Sequence, residues 1–257
     1  MAKGTALITG ASSGIGAELA RLCAAGGYDL ILVARSDARL AELVGELSRV
    51  HRIQARVLAA DLSNPAAPSE IFAQVRDSPP DILINIAGFG VHGAFAESDW
   101  AAAARLIQVN ITALAHLTRL FLPEMLRRRA GRILNVASTA AFVPGPFMAM
   151  YYASKAFVLS FSEALANEVN GTGVIVTVLC PGPTHTGFAD AAGVSHSNLF
   201  RGPVMEAEAV AREGYAAMMA GKATVIAGAR NRWLMLGARL APRGMAAEMT
   251  RRLNSGS

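Results

Sequence analysis

Cysteine is scarce in this chain, and its two copies lie far apart in the sequence. Cys23 and Cys180 are the only cysteines among 257 residues, which is too few for a disulfide scaffold. The five histidines show no ligand-like spacing with one another or with cysteine, so the sequence indicates no metal centre. They stand at positions 51, 92, 116, 185 and 196. The low cysteine content fits a reducing compartment, and we expect a cytoplasmic protein.

Long apolar runs and aromatic-rich basic stripes are also missing. Because no apolar run reaches about 18 residues, the sequence predicts no membrane span. The first apolar run begins by Thr5 and leads directly into a glycine turn, which argues against an N-terminal secretory signal. The absence of an aromatic-rich basic stripe argues against RNA or DNA as a partner.

The positive charge is confined to one end of the chain. The formal net charge is +5, and residues 230–257 carry six arginines against one acid, so the rest is about neutral. Apolar residues 233–236 and Leu240 are interspersed with these arginines. This basic segment is typical of a helix lying on a membrane surface. It is equally typical of a terminal helix that docks on the domain or closes the substrate site, which we favour.

Tyr151 and Lys155 are the most informative residues that are present. Four residues apart in the segment YYASKA, they share one face of a helix. A cation beside a phenol favours the phenolate, so we expect a lowered pKa that suits Tyr151 to general acid and base catalysis. Tyr152 lies three residues before Lys155 and is the alternative acid, because that spacing also makes neighbours on a helix.

A glycine turn follows the first apolar run. Residues 9–16 read TGASSGIG, and a helical pattern comes after them. A glycine turn that opens a helix lets backbone N–H groups approach a pyrophosphate without side chains in the way. We therefore expect a nucleotide to bind Gly10, Ser12, Ser13, Gly14, Ile15 and Gly16.

Apolar runs alternate with longer helical patterns over the whole length. We expect strands at 6–9, 30–34, 56–60, 82–86, 133–136, 174–179 and 225–227. This alternation predicts a single α/β domain over 1–257, with a Rossmann-type, doubly wound parallel sheet of about seven strands and helices on both faces. Ligands of such sheets bind at the carboxyl ends of the strands, where Gly10, Gly88, Ser138 and Pro181 fall.

Taken together, these motifs resemble the short-chain dehydrogenase/reductase family, in its ordinary single-domain class. The resemblance covers most of the chain. It rests on Thr9 to Gly16, Asp61 with Leu62, the segment NIAG at 85–88, Asn110, Ser138, Tyr151 with Lys155, and Pro181-Gly182 followed by Thr184 and Thr186. Ile86 departs from the family pattern, which commonly has a second asparagine there.

The resemblance implies a role for each of four residues. Tyr151 would exchange a proton with a carbonyl or alcohol oxygen, and Ser138 would hydrogen-bond the same oxygen. Lys155 would hold the nicotinamide ribose, and Asn110 would hold a water that links Lys155 to solvent. The cofactor would supply the hydride.

Further cofactor contacts are implied by the same resemblance. Asp61 would meet the adenine with Leu62, although Asp61 also suits a cap of the next helix near Pro65. The remaining contacts fall on Asn85, Ala87, Gly88, Pro181, Gly182, Thr184 and Thr186.

The end of the second apolar run bears on the choice of cofactor. A carboxylate there would bind the adenosine ribose of NAD and repel the 2′-phosphate of NADP. This chain has Ala34 and Arg35 instead, and a guanidinium can fork onto phosphate. We therefore favour NADP(H), with NAD(H) as the alternative. Asp37 is a rival ribose ligand, and Arg39 is an alternative solvated charge.

Three segments are expected to recognise the substrate: 89–95, 140–150 and 184–204. The last is rich in glycine, serine and histidine and is predicted to be a lid that orders around ligands. In the middle segment, apolar residues predict a pocket for an apolar ketone or aldehyde. They are Phe142, Val143, Phe147, Met148 and Met150. The family resemblance also implies a homodimer or homotetramer, through helices around Asn110 and 157–169.

The sequence therefore predicts an NADP(H)-dependent oxidoreductase acting on a small carbonyl or alcohol substrate. A catalytically silent NADP(H)-binding regulator is the alternative. Such a regulator would keep the glycine turn but would have little need for Ser138, Asn110, Tyr151 and Lys155 together.

Overall fold

A computed structural model describes residues 2–35 and 37–255, and the side chains of 37–39 are not described. The competing proposals for the Asp37 and Arg39 side chains therefore lie outside the described part. No helix in this part is long and apolar enough to cross a membrane.

Seven parallel strands form the central sheet, as predicted. They are β1 Thr5–Thr9, β2 Asp29–Ala34, β3 Ala55–Ala59, β4 Ile82–Asn85, β5 Gly131–Val136, β6 Val174–Cys180 and, after two short strands, β9 Thr224–Ile226. Their order across the sheet is β3-β2-β1-β4-β5-β6-β9. The order reverses between β1 and β4, where chain connections leave in opposite directions and open a crevice for a ligand.

Helices cover both faces of this sheet. They are α1 Gly14–Ala25, α2 Asp37–His51, α3 Ala67–Val75, α4 Trp100–Ile107, α5 Leu114–Arg128, α6 Ala149–Glu168, α7 Phe188–Ala191, α8 Ala207–Met219, α9 Ala229–Leu240 and α10 Arg243–Asn254. Along β1, Ala6 and Ile8 pack in one core with α1, α2 and α8, whereas Leu7 packs in a second core with α3 and α5. Successive strand residues point to opposite faces, so a strand buried on both sides is apolar throughout.

The helix expected around Asn110 is interrupted. Between α4 and α5, residues Gln108–Ala113 form a π-helical turn that contains the buried Asn110. Such a turn holds one extra residue, and it re-aims the side chains around it.

Two short strands were not predicted. Thr184–His185 (β7) pairs in parallel with Met205–Glu206 (β8). This ladder joins the two ends of the expected lid, whose interior holds α7 and a 3₁₀ turn at Asn198–Phe200.

The basic C-terminal segment forms α9 and α10, and α10 docks on the domain, as favoured from the sequence. Its buried face comprises Ala246, Thr250 and Asn254. Thr250 donates to the carbonyl oxygen of Pro144, and Asn254 Nδ2 donates to that of Pro146 at 2.9 Å. The helix thus lies against one of the three segments expected to recognise the substrate.

Candidate active site

A cavity of about 990 Å³ opens at the carboxyl ends of the strands, at the point where the strand order reverses. It gathers most of the residues that the sequence singled out. Those lining it are Gly10, Ser12, Ser13, Gly14, Ile15, Gly16, Arg35, Asp61, Leu62, Ala87, Gly88, Ser138, Tyr151, Lys155, Pro181, Gly182, Thr184 and Thr186. Asn85 and Asn110 do not belong to this lining.

The glycine turn between β1 and α1 is shaped to hold a phosphate group. Gly10 and Gly14 have φ of +68° and +54°, a region that favours glycine. A Cβ on Gly16 would stand 2.3 Å from the carbonyl oxygen of Gly10, so the helix packs directly on the turn. The first turn of α1 carries no acid, and Ser13 makes no side-chain cap. The N–H groups and the positive helix end therefore suit a pyrophosphate.

Arg35 and Asp61 line the end of the cavity beyond β2. Asp61 accepts a hydrogen bond from the backbone N–H of Ser63 at 2.9 Å. That bond, with a weaker contribution from the Arg35 guanidinium, holds the pKa of Asp61 below its usual range. Asp61 stabilises the turn after β3 rather than α3, which begins at Ala67. Its charge and that of Arg35 both border the cavity.

Tyr151 lies in the first turn of α6, and Ser138 follows β5, so two elements bring the hydroxyls together. Ser138 Oγ also accepts from the N–H of Ala140 at 3.1 Å, which fixes its position. Burial raises the pKa of Tyr151 well above its usual range, while a hydrogen bond with Ser138 opposes the rise. The direction is opposite to the lowered pKa expected from the sequence, because burial penalises the charged phenolate more than the hydrogen bond with Ser138 stabilises it.

Lys155 stands one turn further along α6, and its amine is deeply buried. Nζ donates to the carbonyl oxygen of Val136 at 2.9 Å and lies 5.8 Å from the centre of the Tyr151 ring. Burial lowers the pKa of Lys155 to about 8. The amine therefore stands near a balance between its charged and neutral forms, close to the phenol.

Asn110 lies behind the cavity rather than in it. Its amide nitrogen donates to the carbonyl oxygen of Phe89 at 3.0 Å and to Ser154 Oγ at 3.1 Å, and its Oδ1 accepts from the Phe89 N–H. Ser154 in turn donates to the carbonyl oxygen of Tyr151 at 2.7 Å. A Cβ on Gly88 would lie 3.0 Å from Asn110 Oδ1 and 3.5 Å from Lys155 Nζ. Asn110 thus joins the segment after β4 to the tyrosine helix.

Asn85 lies in the core rather than in the cavity lining, and its contact with the cofactor stays a prediction. It is buried and donates to Thr118 Oγ1 at 3.2 Å and to Asn135 Oδ1 at 2.9 Å. Asn135 then donates to Ser162 Oγ at 2.9 Å. The β4–β5 register pairs the two asparagines, and this short network connects polar groups inside the core, where Asn85 Oδ1 itself has no hydrogen-bond partner among the described residues.

Tyr152, the alternative acid, also lines the cavity, but its hydroxyl is engaged elsewhere. Its hydroxyl donates to Asn254 Oδ1 at 3.1 Å, which joins α6 to α10. The carbonyl oxygen of Asn254 lies 3.0 Å from His92 Nε2. A phenol committed to this buried contact suits a structural role.

The substrate end of the cavity differs in part from the expected pocket. Of the five apolar residues expected from 140–150, only Met148 lines the cavity. Phe142 and Phe147 instead face Arg239 and Arg251 of the C-terminal helices. The apolar wall comes from the lid, through Phe188, Ala191, Val194, Leu199 and Phe200. Their sequence carries no regular apolar period, so only the richness of the lid in turn residues hinted at them.

Comparison with known proteins identifies the family. The short chain dehydrogenase family model matches residues 4–195, and the chain belongs to this family. A curated relative is the ketoacyl reductase HetN of a Nostoc species, 37% identical over 180 residues, which are 69% of this chain and 62% of HetN. This chain therefore spans about three fifths of that relative.

Solved structures support the same fold. A short-chain dehydrogenase from Sphingobium yanoikuyae in complex with NADPH is 34% identical, with a TM-score of 0.83 over 92% of this chain and 93% of that one. A family member from Burkholderia phymatum in complex with NAD is 28% identical, with a TM-score of 0.83 over 100% and 98%. These neighbours support a nicotinamide cofactor and an oxidoreductase, and they include both forms of the cofactor.

Proposed function

We propose that this protein is an NADP(H)-dependent oxidoreductase that transfers a hydride between nicotinamide and an apolar carbonyl or alcohol substrate. The observation that carries the proposal is the convergence of Ser138, Tyr151 and Lys155 at one wall of a cavity whose other end is the glycine turn. A purely structural role does not explain this convergence, because a folded core would be more stable with apolar residues in place of a buried amine and a buried phenol.

In the proposed mechanism, Tyr151 is the general acid in reduction and the general base in the reverse reaction. A bound nicotinamide would supply or accept the hydride. Ser138, held by the Ala140 N–H, hydrogen-bonds the substrate oxygen and aligns it with the phenol. The high pKa of Tyr151 keeps it protonated before reduction, and the nearby Lys155 amine stabilises the phenolate after the proton has left.

Asn110 is proposed as a positioning residue. Its amide holds Phe89 and, through Ser154, the backbone of Tyr151. The expected water link from Lys155 to solvent stays a prediction. Asn110 lies next to Gly88 and Lys155, as either role requires.

The preference for NADP(H) rests on the end of β2. Arg35 borders the cavity there, and Ala34 places no carboxylate at the end of the strand. A guanidinium in this place attracts a 2′-phosphate. The NADPH complex of the Sphingobium relative supports this preference, while the NAD complex of the Burkholderia relative makes NADH the necessary comparison.

An apolar substrate is proposed from the walls at the far end. Phe188, Val194, Leu199 and Phe200 face the cavity with Met148, and no carboxylate stands among them. The ketoacyl reductase activity named for the Nostoc relative supports a ketone with an apolar chain. We also propose a homodimer or homotetramer, in which exposed Phe157 on α6 would be covered.

The test compares wild type with Tyr151→Phe and Tyr152→Phe, using NADPH or NADH with a panel of apolar ketones and aldehydes. We expect Tyr151→Phe to lose about 10²- to 10⁴-fold in kcat while NADPH binding persists. Tyr152→Phe should retain most of its activity. Oxidation of NADPH or NADH is followed by the loss of its absorbance. Cofactor binding is measured separately by titration.

The possible results separate the hypotheses. Equal losses in both variants would contradict the assignment of Tyr151 as the acid. Tight NADPH binding without turnover of any carbonyl would favour the regulatory alternative, and binding of neither nucleotide would overturn the proposal.

A further inference from the structure

The outer face of α9 and α10 is unusually apolar for a surface. Ten large apolar side chains are exposed in the described part of the chain, and six of them lie on these two helices. They are Trp233, Leu234, Leu236, Leu240, Met245 and Met249. Soluble proteins expose single apolar residues freely, whereas six on two consecutive helices indicate an interaction surface.

Helical spacing puts these residues on faces that point away from the protein. On α9, Trp233, Leu236 and Leu240 are spaced i, i+3 and i+7, and Trp233 and Leu240 are 74% and 83% exposed. On α10, Met245 and Met249 are four residues apart, whereas Ala246, Thr250 and Asn254 are buried. Docking therefore uses one face of α10 and leaves an apolar face outside.

Positive charge surrounds this apolar face. Residues 229–255 contain six arginines and one acid, Glu248. Arg232 is paired with Glu213, and Arg252 with Glu248. Arg230 and Arg243 make no ion pair with any residue that the structure describes. Both exposed guanidinium groups are therefore available to an anionic partner.

We propose that the outer face of α9 and α10 docks on an anionic lipid bilayer at the level of the headgroups. A second copy of this chain fits less well, because a two-fold contact through the same surface would place arginines against arginines. An anionic bilayer satisfies both features, since its headgroups attract the arginines and its acyl boundary takes the apolar side chains. This inference is independent of the proposed reaction.

Docking would bring the substrate end of the cavity close to the membrane. Arg239 contacts the ring of Phe142, and Arg251 contacts that of Phe147. These phenylalanines lie within the segment 140–148, whose two ends, Ala140 and Met148, line the cavity. An apolar substrate dissolved in lipid would therefore have a short route to the site.

Tryptophan fluorescence tests the geometry, because the chain has only Trp100 and Trp233. Trp100→Phe leaves Trp233 as the reporter, and Trp233→Phe leaves Trp100. With vesicles of phosphatidylcholine and phosphatidylglycerol, we expect the emission of Trp233 to move to shorter wavelength and that of Trp100 to stay. Vesicles of phosphatidylcholine alone should leave both unchanged. A shift of Trp100 alone, or of neither, would overturn the proposal.

Co-sedimentation with the same vesicles tests the two kinds of contact. We expect Trp233→Ser with Leu240→Ser to lower the partition coefficient by at least about tenfold. Arg230→Gln with Arg243→Gln should lower it for anionic vesicles and weaken its dependence on salt. The matched control is Arg49→Gln with Val50→Ser, an exposed pair on α2.

NADPH titration and thermal unfolding verify that each variant is folded. The proposal would be overturned if the tryptophan–leucine and the arginine double variants bound anionic vesicles as strongly as the α2 control does. A wild type that ignores anionic vesicles and forms a dimer which Trp233→Ser dissociates in sedimentation velocity would overturn it too, because the surface would then join two copies of the chain.

Discussion

The two ends of the cavity are built in different ways. At the glycine turn, the geometry comes from backbone groups of the turn and the neighbouring strand β2, with Gly10 N–H donating to the Val33 carbonyl oxygen at 2.8 Å. At the lid, it comes from side chains that join distant segments, as when Asn198 Nδ2 donates to the carbonyl oxygens of Arg252 and Ser255. The first end is thus built from backbone groups, and the second depends on side-chain contacts across more than 50 residues.

This difference predicts different consequences of substitution. Changes at the glycine turn should affect cofactor binding whatever the substrate, because no side chain there can adjust. Changes around α10 should affect the substrate and leave the cofactor alone.

Gly16→Ala should be the most damaging change at the cofactor end. Its methyl group would stand 2.3 Å from the Gly10 carbonyl oxygen, which is backbone and cannot move aside. We expect the free energy of unfolding to fall by about 3 kcal/mol and NADPH affinity by at least about tenfold. Denaturant unfolding and fluorescence titration measure the two quantities.

Gly45→Ala is the matched control, since nothing lies within 4 Å of its added methyl group on α2. It should raise stability by about 0.5–1 kcal/mol and leave NADPH binding unchanged. Unaltered NADPH affinity in Gly16→Ala would show that the close contact between helix and turn does not shape the cofactor site.

Ala34→Asp tests the cofactor preference at the same end. A carboxylate there would bind the ribose of NADH and repel the 2′-phosphate of NADPH. We expect the ratio of kcat/KM for NADPH to that for NADH to fall by roughly thirtyfold, which corresponds to about 2 kcal/mol. Ala34→Asn keeps the size without the charge and should change the ratio far less. An equal shift in both variants would assign the effect to shape.

Lys155 gives a prediction on pH. Its pKa is about 8 in the folded protein against an ordinary value of 10.5, so the unfolded chain binds the extra proton between these values. The free energy of unfolding therefore increases as pH rises through this window. Below pH 8, the folded protein bears the full cost of burying the charged amine. We expect the unfolding free energy of wild type minus that of Lys155→Met to rise by about 2 kcal/mol from pH 8 to 10.

Subtracting the unfolding free energy of Lys155→Met from that of wild type removes the pH dependence that both proteins share. Burial raises the pKa of the Cys23 thiol to about 12, which acts in the opposite sense at high pH but equally in both proteins. A difference that stays flat from pH 8 to 10 would mean that the amine is not desolvated as the structure indicates.

The same contrast explains what the sequence could predict. The central strands are largely buried on both faces, so each leaves an apolar run, and the glycine turn leaves a compact motif. Strands β7 and β8 have two residues each, which is too short for any periodicity. Asn85 matched a family motif, yet which partner a buried amide takes depends on its neighbours in the fold.

The pocket was harder to predict for a similar reason. Phe147 belongs to an apolar segment, but its backbone has φ of +65° and its ring faces Arg251 of α10. Apolar character alone does not tell a cavity wall from a helix contact. Only the position of α10, more than 90 residues later in the chain, decides between them.

Asn254 is the residue through which the substrate end should be weakened most selectively. It joins the Pro146 carbonyl oxygen and the hydroxyl of Tyr152, while its own carbonyl oxygen contacts His92. We expect Asn254→Ala to raise KM for the carbonyl substrate about threefold to tenfold, because the lost bonds are worth roughly 1 kcal/mol each. The dissociation constant of NADPH should not change.

Two further variants complete this test. Tyr152→Phe removes only the bond to Asn254 Oδ1 and should give a smaller rise in KM, whereas Asn167→Ala on the exposed side of α6 should give none. If Asn254→Ala weakened NADPH binding as much as substrate binding, the two ends would be coupled. The docked helix would then support the whole cavity rather than its substrate end, and the division drawn between a backbone-built and a side-chain-built end would fail.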